Sequence, residues 1–190
     1  MKNIIKINPK KLKIKIENVV VTKTLGQPID LNAIRDVFSN IKYDPEMFPG
    51  MIIRLLKPKS MIFVFESGHV VCSGTKSVKM AHTSVNKVVQ EIINHGVITL
   101  LNTKTEITNL IASTELHKNI DLETTADILA DVFYDPEKYP WVIYHMNKPQ
   151  TVLFLFKPGK IVCTGALSEE MVYNSIRNIV DILNDYDLLY

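Results

Sequence analysis

The sequence predicts an α+β protein built from two tandem copies of one unit, with a pseudo-symmetric antiparallel sheet and helices on one of its faces. Three observations carry this. The stretch 43–77, YDPEMFPGMIIRLLKPKSMIFVFESGHVVCSGTKS, recurs at 134–168 as YDPEKYPWVIYHMNKPQTVLFLFKPGKIVCTGALS, an offset of 91 positions. Aligned without a gap, the copies agree at 15 of 35 positions, where unrelated stretches would agree at about two. Within each copy, short apolar runs of period two give way to a longer run of helical period. A period of 91 residues is far longer than the roughly 20–50 of a stacked solenoid. The chain therefore divides into a first repeat at 1–95, with a short basic N-terminal arm, and a second at 96–190.

The elements follow in order. Residues 12–24, LKIKIENVVVTKT, alternate as a strand, with Asn18, Val20 and Thr22 on one face and Val19 and Val21 on the other. Gly26-Gln-Pro28 then interrupts the chain, Asp30 is placed to cap a helix, and Leu31, Ile34, Val37, Phe38 and Ile41 recur at helical spacing. The prolines and glycine of Tyr43–Gly50 favour an ordered loop. Three apolar runs follow at 51–56, 60–66 and 69–75, separated by Pro58 and by Ser67-Gly68, with the short spacing of a meander. Ser77 caps a longer helix whose stripe is Ala81, Val85, Val88 and Ile92. In the second repeat Asn109 and Ile111 answer Asn18 and Val20, and Val172, Ile176, Ile179 and Leu183 answer the helix stripe.

Composition bounds the function. A chain of 190 residues, 46% hydrophobic and 22% charged, can bury a core. It has no run of about 18 apolar residues, and its start, MKNIIKINPKKLKIKI, alternates Lys with Ile instead of building the apolar segment of a signal peptide. The expectation is an intracellular protein with no membrane partner. Cys72 and Cys163 hold the same repeat position and read as apolar strand residues; two cysteines with no histidine at zinc spacing make no metal site. The net charge of +2 is unevenly spread: residues 1–95 carry 15 Lys+Arg against 7 Asp+Glu, and residues 96–190 carry 7 against 13. The copies are thus predicted to meet different surroundings. Paired carboxylates, a nucleophile elbow and a phosphate-binding glycine loop are all missing from the sequence, so a binding protein without a cofactor is expected rather than an enzyme.

The meander has apolar residues on both faces. Met61, Phe63 and Phe65 point one way while Ile62 and Val64 point the other, and Val71 and Ser73 oppose Val70 and Cys72. Val152, Phe154, Phe156, Val162 and Thr164 repeat the first set. Helices cover only one face, and the other would expose more apolar surface than a soluble monomer normally shows. A large partner, or self-association, is implied.

With these residues in view, the chain resembles the TATA-box-binding protein family over about 14–183. The resemblance rests on YDPE-x-FPG, on an apolar strand ending in Phe, on SG-x-VVC-[ST]-G-x-K and on QPIDLNAI ahead of the first helix. It implies a saddle: a curved sheet with helices on the convex face and double-stranded TATA-box DNA in the minor groove on the concave one. It also implies a general initiation factor that recruits transcription factor B and the RNA polymerase machinery. Minor-groove edges of A·T pairs offer only acceptors. Val20, Val71, Ile111 and Val162 suit that flat contact, Asn18 and Asn109 match the family's central asparagines, and Ser73 and Thr164 its hydroxyl positions. The family is itself the standard case of aromatic wedges that kink DNA. By position the wedge pairs are Phe48 with Phe65 and Tyr139 with Phe156, with Phe63 and Phe154 beside them. Arg54, Lys59 and Lys76 match backbone-contacting cations, whose second-repeat counterparts are His145, Gln150 and Leu167. Tyr139 stands where the family has Phe, so its hydroxyl needs water or a phosphate. The loop with Asp135, Glu137 and Lys138 corresponds to the family's contact for transcription factor B. The wording FPG and QPIDLN is closer to archaeal than to nuclear members, which implies the nucleoid; a eukaryotic origin would imply the nucleus. Two other readings stay open: a divergent paralogue with relaxed DNA preference or a regulatory role, and a ligand-binding or scaffold dimer that uses the apolar sheet face for self-association.

Overall fold

The computed structural model describes residues 6–99 and 103–190, so Met1–Ile5 of the Lys/Ile-rich start lie outside the described residues. The fold class is α+β, and the chain forms two compact units, one of Asn18–Thr108 and one of Asn109–Tyr190 together with the N-terminal stretch up to Glu17. In chain order the first repeat contains β1 (Lys15–Thr24), β2 (Ile41–Lys42), β3 (Gly50–Leu56), β4 (Lys59–Phe65), β5 (His69–Thr75) and α1 (Val78–Asn94). The second contains β6 (Lys104–Glu115), α2 (Leu122–Ile128), β7 (Val132–Phe133), β8 (Trp141–Asn147), β9 (Gln150–Phe156), β10 (Lys160–Ala166) and α3 (Glu169–Asp185).

The three predicted apolar runs are β3, β4 and β5, and each half has the same antiparallel order: β2-β3-β4-β5-β1, and β7-β8-β9-β10-β6. One face of each half is packed under its long helix. Ile62, Val64, Val70 and Cys72 are fully buried on that side together with Ala81, Val85, Val88 and Ile92 of α1; Leu153, Leu155, Ile161 and Cys163 are buried with Val172, Ile176, Ile179 and Leu183 of α3. The first long helix starts at the predicted Ser77 and the second at its repeat counterpart, Ser168. Ser77 Oγ accepts from the Met80 amide at 3.2 Å and Ser168 Oγ from the Met171 amide at 3.1 Å, which supplies a partner for an amide left open at a helix start.

A polar knot recurs where helix meets sheet. Ser60 Oγ donates to Ser84 Oγ at 2.9 Å, and Thr151 Oγ1 to Ser175 Oγ at 2.8 Å, both buried. Cys72 lies against the first pair and Cys163 against the second, and burial pushes each thiol up to about 11. Both cysteines are free and buried, so at neutral pH they remain protonated and serve as small packing residues.

The short helix predicted after Pro28 forms in the second repeat only. There Asp121 caps α2, taking the Thr124 amide at 3.1 Å and the Thr124 hydroxyl at 2.8 Å, and these bonds hold its carboxyl below the usual carboxylate range. The contribution of that cap is present above the carboxylate's unfolded value and is lost as acid protonates the folded form. In the first repeat Ala33 stands where Thr124 does, and Asp30 Oδ1 takes the amide of Asn32, only two residues on, at 2.9 Å. The chain there runs through successive turns, with the Arg35 amide on Asn32 O and the Val37 amide on Ile34 O, each at 3.1 Å. Leu31 and Ile34 are still buried, so the apolar spacing serves packing without a full helix. Ile41, expected within that helix, belongs to β2.

The strand predicted from residue 12 begins at Lys15, after a 3-10 turn at Pro9–Lys11. The segment before it joins the second-repeat unit. Asn184 of α3 takes the Ile7 amide at 2.9 Å and donates to Ile7 O at 2.8 Å, and the Thr114 hydroxyl donates to Lys13 O at 3.1 Å.

Candidate nucleic-acid interface

The face of each half opposite its helix carries the predicted residues. In the first repeat Asn18, Val20, Met61, Phe63, Phe65, Val71 and Ser73 are all half-buried, and strict alternation in β4 and β5 puts them opposite the covered core. Asn109, Ile111, Val152, Phe154, Phe156, Val162 and Thr164 do the same in the second. The residues sequence reasoning passed over on this face are Ile52 and Ile143, which pair with Phe63 and Phe154 in neighbouring strands, and Trp141. The two aligned copies held the signal for Trp141, since it stands at the position of Gly50.

A β-bulge positions each asparagine. In the pairing of β1 with β5, Val19 faces Thr75 and Val21 faces Cys72, so Ser73 and Gly74 together oppose Val20. Gly74 takes φ 87°, and its amide donates to Asn18 Oδ1 at 2.8 Å. In the copy, Cys163 faces Ala112 and Ala166 faces Leu110; Gly165 has φ 84° and donates to Asn109 Oδ1 at 2.8 Å. An amide oxygen bound by a backbone N–H fixes which end of the side chain is nitrogen. Asn18 Nδ2 then donates one hydrogen to Ser73 Oγ at 3.1 Å, and Asn109 Nδ2 one to Thr164 Oγ1 at 3.2 Å. A second hydrogen remains on each amide nitrogen, on a half-buried apolar face. The asparagine therefore has the ordinary structural role of a strand Asn and a donor to spare.

The aromatic groups differ between the copies. Phe48 reaches from the Tyr43–Gly50 loop to Phe65, ring centroids 5.7 Å apart, and to Phe63 at 5.9 Å. It can do so because residue 50 is glycine: a Cβ there would lie 3.0 Å from both rings. In the second copy Tyr139 meets Phe156 only through Trp141, whose ring is 5.5 Å from each, and Phe133 lies 6.2 Å beyond Tyr139. The expected pair is thus a row with an indole in the middle.

The charged positions fall as a set. Arg54, Lys59 and Lys76 are exposed, and Arg54 and Lys59 line one shallow hollow with Met61 and Gly74. His145, Gln150 and Leu167 line the corresponding hollow of the second repeat with Val152 and Gly165. No formal positive charge is left there, and Leu167 is 53% exposed. In the Tyr134–Pro140 loop, Lys138 Nζ pairs with Asp135 Oδ2 at 3.0 Å, while Glu137 is exposed. Among the described residues, no helix is long and apolar enough to cross a membrane.

Fold and face together define a class: a duplicated α+β protein that keeps one apolar sheet face per repeat uncovered, with one amide donor held at the middle of each. Its relatives are consistent with that class. The family model described as "Transcription factor TFIID (or TATA-binding protein, TBP)" matches residues 13–95 and again 104–186. The TATA-box-binding protein of Pyrobaculum islandicum is 36% identical over 176 residues, covering 93% of this chain and 88% of that one. That of Sulfolobus acidocaldarius is 37% identical over 179 residues, covering 94% and 91%. The solved structure of Methanococcus jannaschii TBP superposes with a TM-score of 0.82 at 34% identity, covering 91% of this chain and 99% of that one. The chain belongs to the TATA-binding protein family of DNA-binding transcription factors.

The bulge is testable on its own. A Cβ at Gly74 would find its nearest neighbour at 3.8 Å, as would one at Gly165, so G74A and G165A introduce no clash and act through their positive φ alone. Each is predicted to lower unfolding stability by about 1–2 kcal/mol, read as an earlier urea midpoint. A wild-type midpoint in both would show that the bulge conformation is not required.

Proposed function

We propose that this chain is a general transcription initiation factor that lays both open faces along the minor groove of A·T-rich TATA DNA, kinks it with aromatic wedges, and recruits transcription factor B and RNA polymerase. The observation that carries the reading is the doubled asparagine clasp. Each repeat holds one N–H donor at the middle of a flat apolar surface, and the minor-groove edge of an A·T pair is flat and bears only acceptors, adenine N3 and thymine O2. A G·C pair adds an amino group that would meet Val20, Val71, Ile111 or Val162 without an acceptor and lose its water. On this reading Asn18 and Asn109 read the bases with Ser73 and Thr164 behind them, and Phe48, Phe63, Phe65, Tyr139, Phe154 and Phe156 shape the kink. Arg54, Lys59 and Lys76 hold phosphates, and Asp135, Glu137 and Lys138 form the contact for transcription factor B. The archaeal relatives make the nucleoid the expected place of action.

Three outcomes follow. The wild type is predicted to prefer an A·T-rich to a G·C-rich duplex in competition binding and to bend it, and F65A and F156A each to lose bending at one end. Undiminished bending in both variants, or a tight dimer in sedimentation that TATA duplex does not alter, would overturn the assignment. The salt dependence of binding is predicted to be shallow, because the second repeat lacks its cations. Restoring H145R, Q150K and L167K should steepen the log–log slope by about 0.9 for each cation that reaches a phosphate, and an unchanged slope would remove those positions from the phosphate contact. For the partner, Asp135 is already neutralised in part by Lys138, so Glu137 carries the charge available to a basic surface. E137A with D135A is predicted to weaken capture of transcription factor B and K138A to strengthen it; wild-type capture by the double variant would exclude the loop.

A further inference from the structure

Trp141 is the sole tryptophan of the chain, and neither the wedge pairs expected from the sequence nor the family's pattern gives it a part. It opens β8 directly opposite Phe156, as Gly50 opens β3 opposite Phe65. Alternation along β8 buries Val142 and Met146 toward the helix side, so Trp141 lies with Ile143 on the open face. The indole stands where Gly50 leaves room for Phe48 to reach Phe65 in the first repeat, and its ring lies 5.5 Å from Phe156 and 5.5 Å from Tyr139, tilted by 48° and 41°. Tyr139 is thereby kept to the outer side, 40% exposed and against Phe133.

We propose that Trp141, together with Phe156, is the base-stacking wedge of the second repeat, and that Tyr139 is a positioning residue that holds the indole from outside. This rests on the minor-groove reading above. Three physical points favour the indole over the phenol. Trp141 sits beside Phe156 in register, while the ring contacts of Tyr139 are with Trp141 and Phe133. An indole offers the larger flat surface for stacking on a base. A phenol driven into a base step would have to give up the water on its hydroxyl, whereas Tyr139 in its outer position keeps that group hydrated. The indole has already lost its water: its Nε1 is buried with no acceptor among the described residues. That N–H is enclosed by the chain itself, so what the indole offers a base step is its apolar ring and not a donor. The wedge of the second repeat is therefore wider than the phenylalanine pair of the first.

A single tryptophan makes the test direct. Binding is followed by the anisotropy of a labelled A·T-rich duplex, and tryptophan emission is read in the same titration. Emission is expected to fall to less than half of its free value as the duplex saturates. W141A is expected to weaken binding on the order of tenfold, the usual scale for losing one base–aromatic stack, and W141F to recover most of that loss. Duplex bound at wild-type affinity with unchanged emission, or W141A and wild type binding alike, would overturn the wedge while leaving the DNA reading intact. Should the wild type not bind the duplex at all, the DNA reading falls and takes the wedge with it. If W141A fails to fold by its urea midpoint, the wild-type emission and the W141F affinity still decide between these outcomes.

Discussion

The asparagine–glycine bulge is the contact on which the rest of each repeat depends. In β5, Val70 and Cys72 turn toward the helix at a spacing of two, and the next buried residue is Thr75, three further on; in β10, Ile161 and Cys163 are followed by Ala166. Were the same residues paired in strict alternation, Thr75 and Ala166 would face the open side and the strand leading into each long helix would arrive on the wrong face, because a shift of one exchanges the faces of a strand. The bulge corrects the parity, and the price is one backbone N–H turned out of the ladder. Asn18 and Asn109 accept those amides. The side chain that repairs the register is thus held by the repair, so its donor points from a fixed place on the open face.

The covered face shows how little polarity such a core admits. Ser60 with Ser84, and Thr151 with Ser175, satisfy each other at the seam between helix and sheet, where an unpaired hydroxyl would be costly. Cys72 and Cys163 close the same seams as protonated thiols. With these hydroxyls paired, the long helix covers one face of each half, and the apolar side chains left over have the opposite face on which to find a partner.

Much of this was legible in the residues. Duplication fixed the equivalence of positions, and alternation in KSMIFVF and its copy placed Phe63, Phe65, Phe154 and Phe156 on one face, where they are found half-buried. The two helix caps could be read from Ser77 and Ser168. Other features depend on single neighbours that periodicity does not register. Leu31 and Ile34 keep helical spacing in a run of turns, because packing needs only their direction, while the Thr124 hydroxyl adds to the cap of α2 a bond that Ala33 cannot make. The bulge adds one residue to a strand without altering its composition, so the clasp of Asn18 to Gly74 was hidden although both residues were in view. The attachment of residues 6–14 to α3 rests on Asn184, 177 residues away from Ile7, and no local pattern announces a contact of that range. Trp141 was visible as a difference between the copies, but only the ring distances show that it divides a pair.

The two copies agree where backbone geometry demands it and differ at the rim. The bulge, the clasp, the hydroxyl seam and the serine cap appear twice, whereas Arg54 becomes His145, Lys59 becomes Gln150, Lys76 becomes Leu167 and Gly50 becomes Trp141. On the proposed reading these changes compensate one another. Phosphate contacts gain from counterion release and fade as salt rises, while the stacking of an uncharged indole on a base does not depend on counterions and is screened by nothing. A repeat that loses three cations and gains a ring exchanges a long-range, salt-sensitive attraction for a short-range one that acts only after contact. The basic first repeat would then govern approach to the DNA and the aromatic second repeat the persistence of the complex, so that two copies of one fold divide association and dissociation between them.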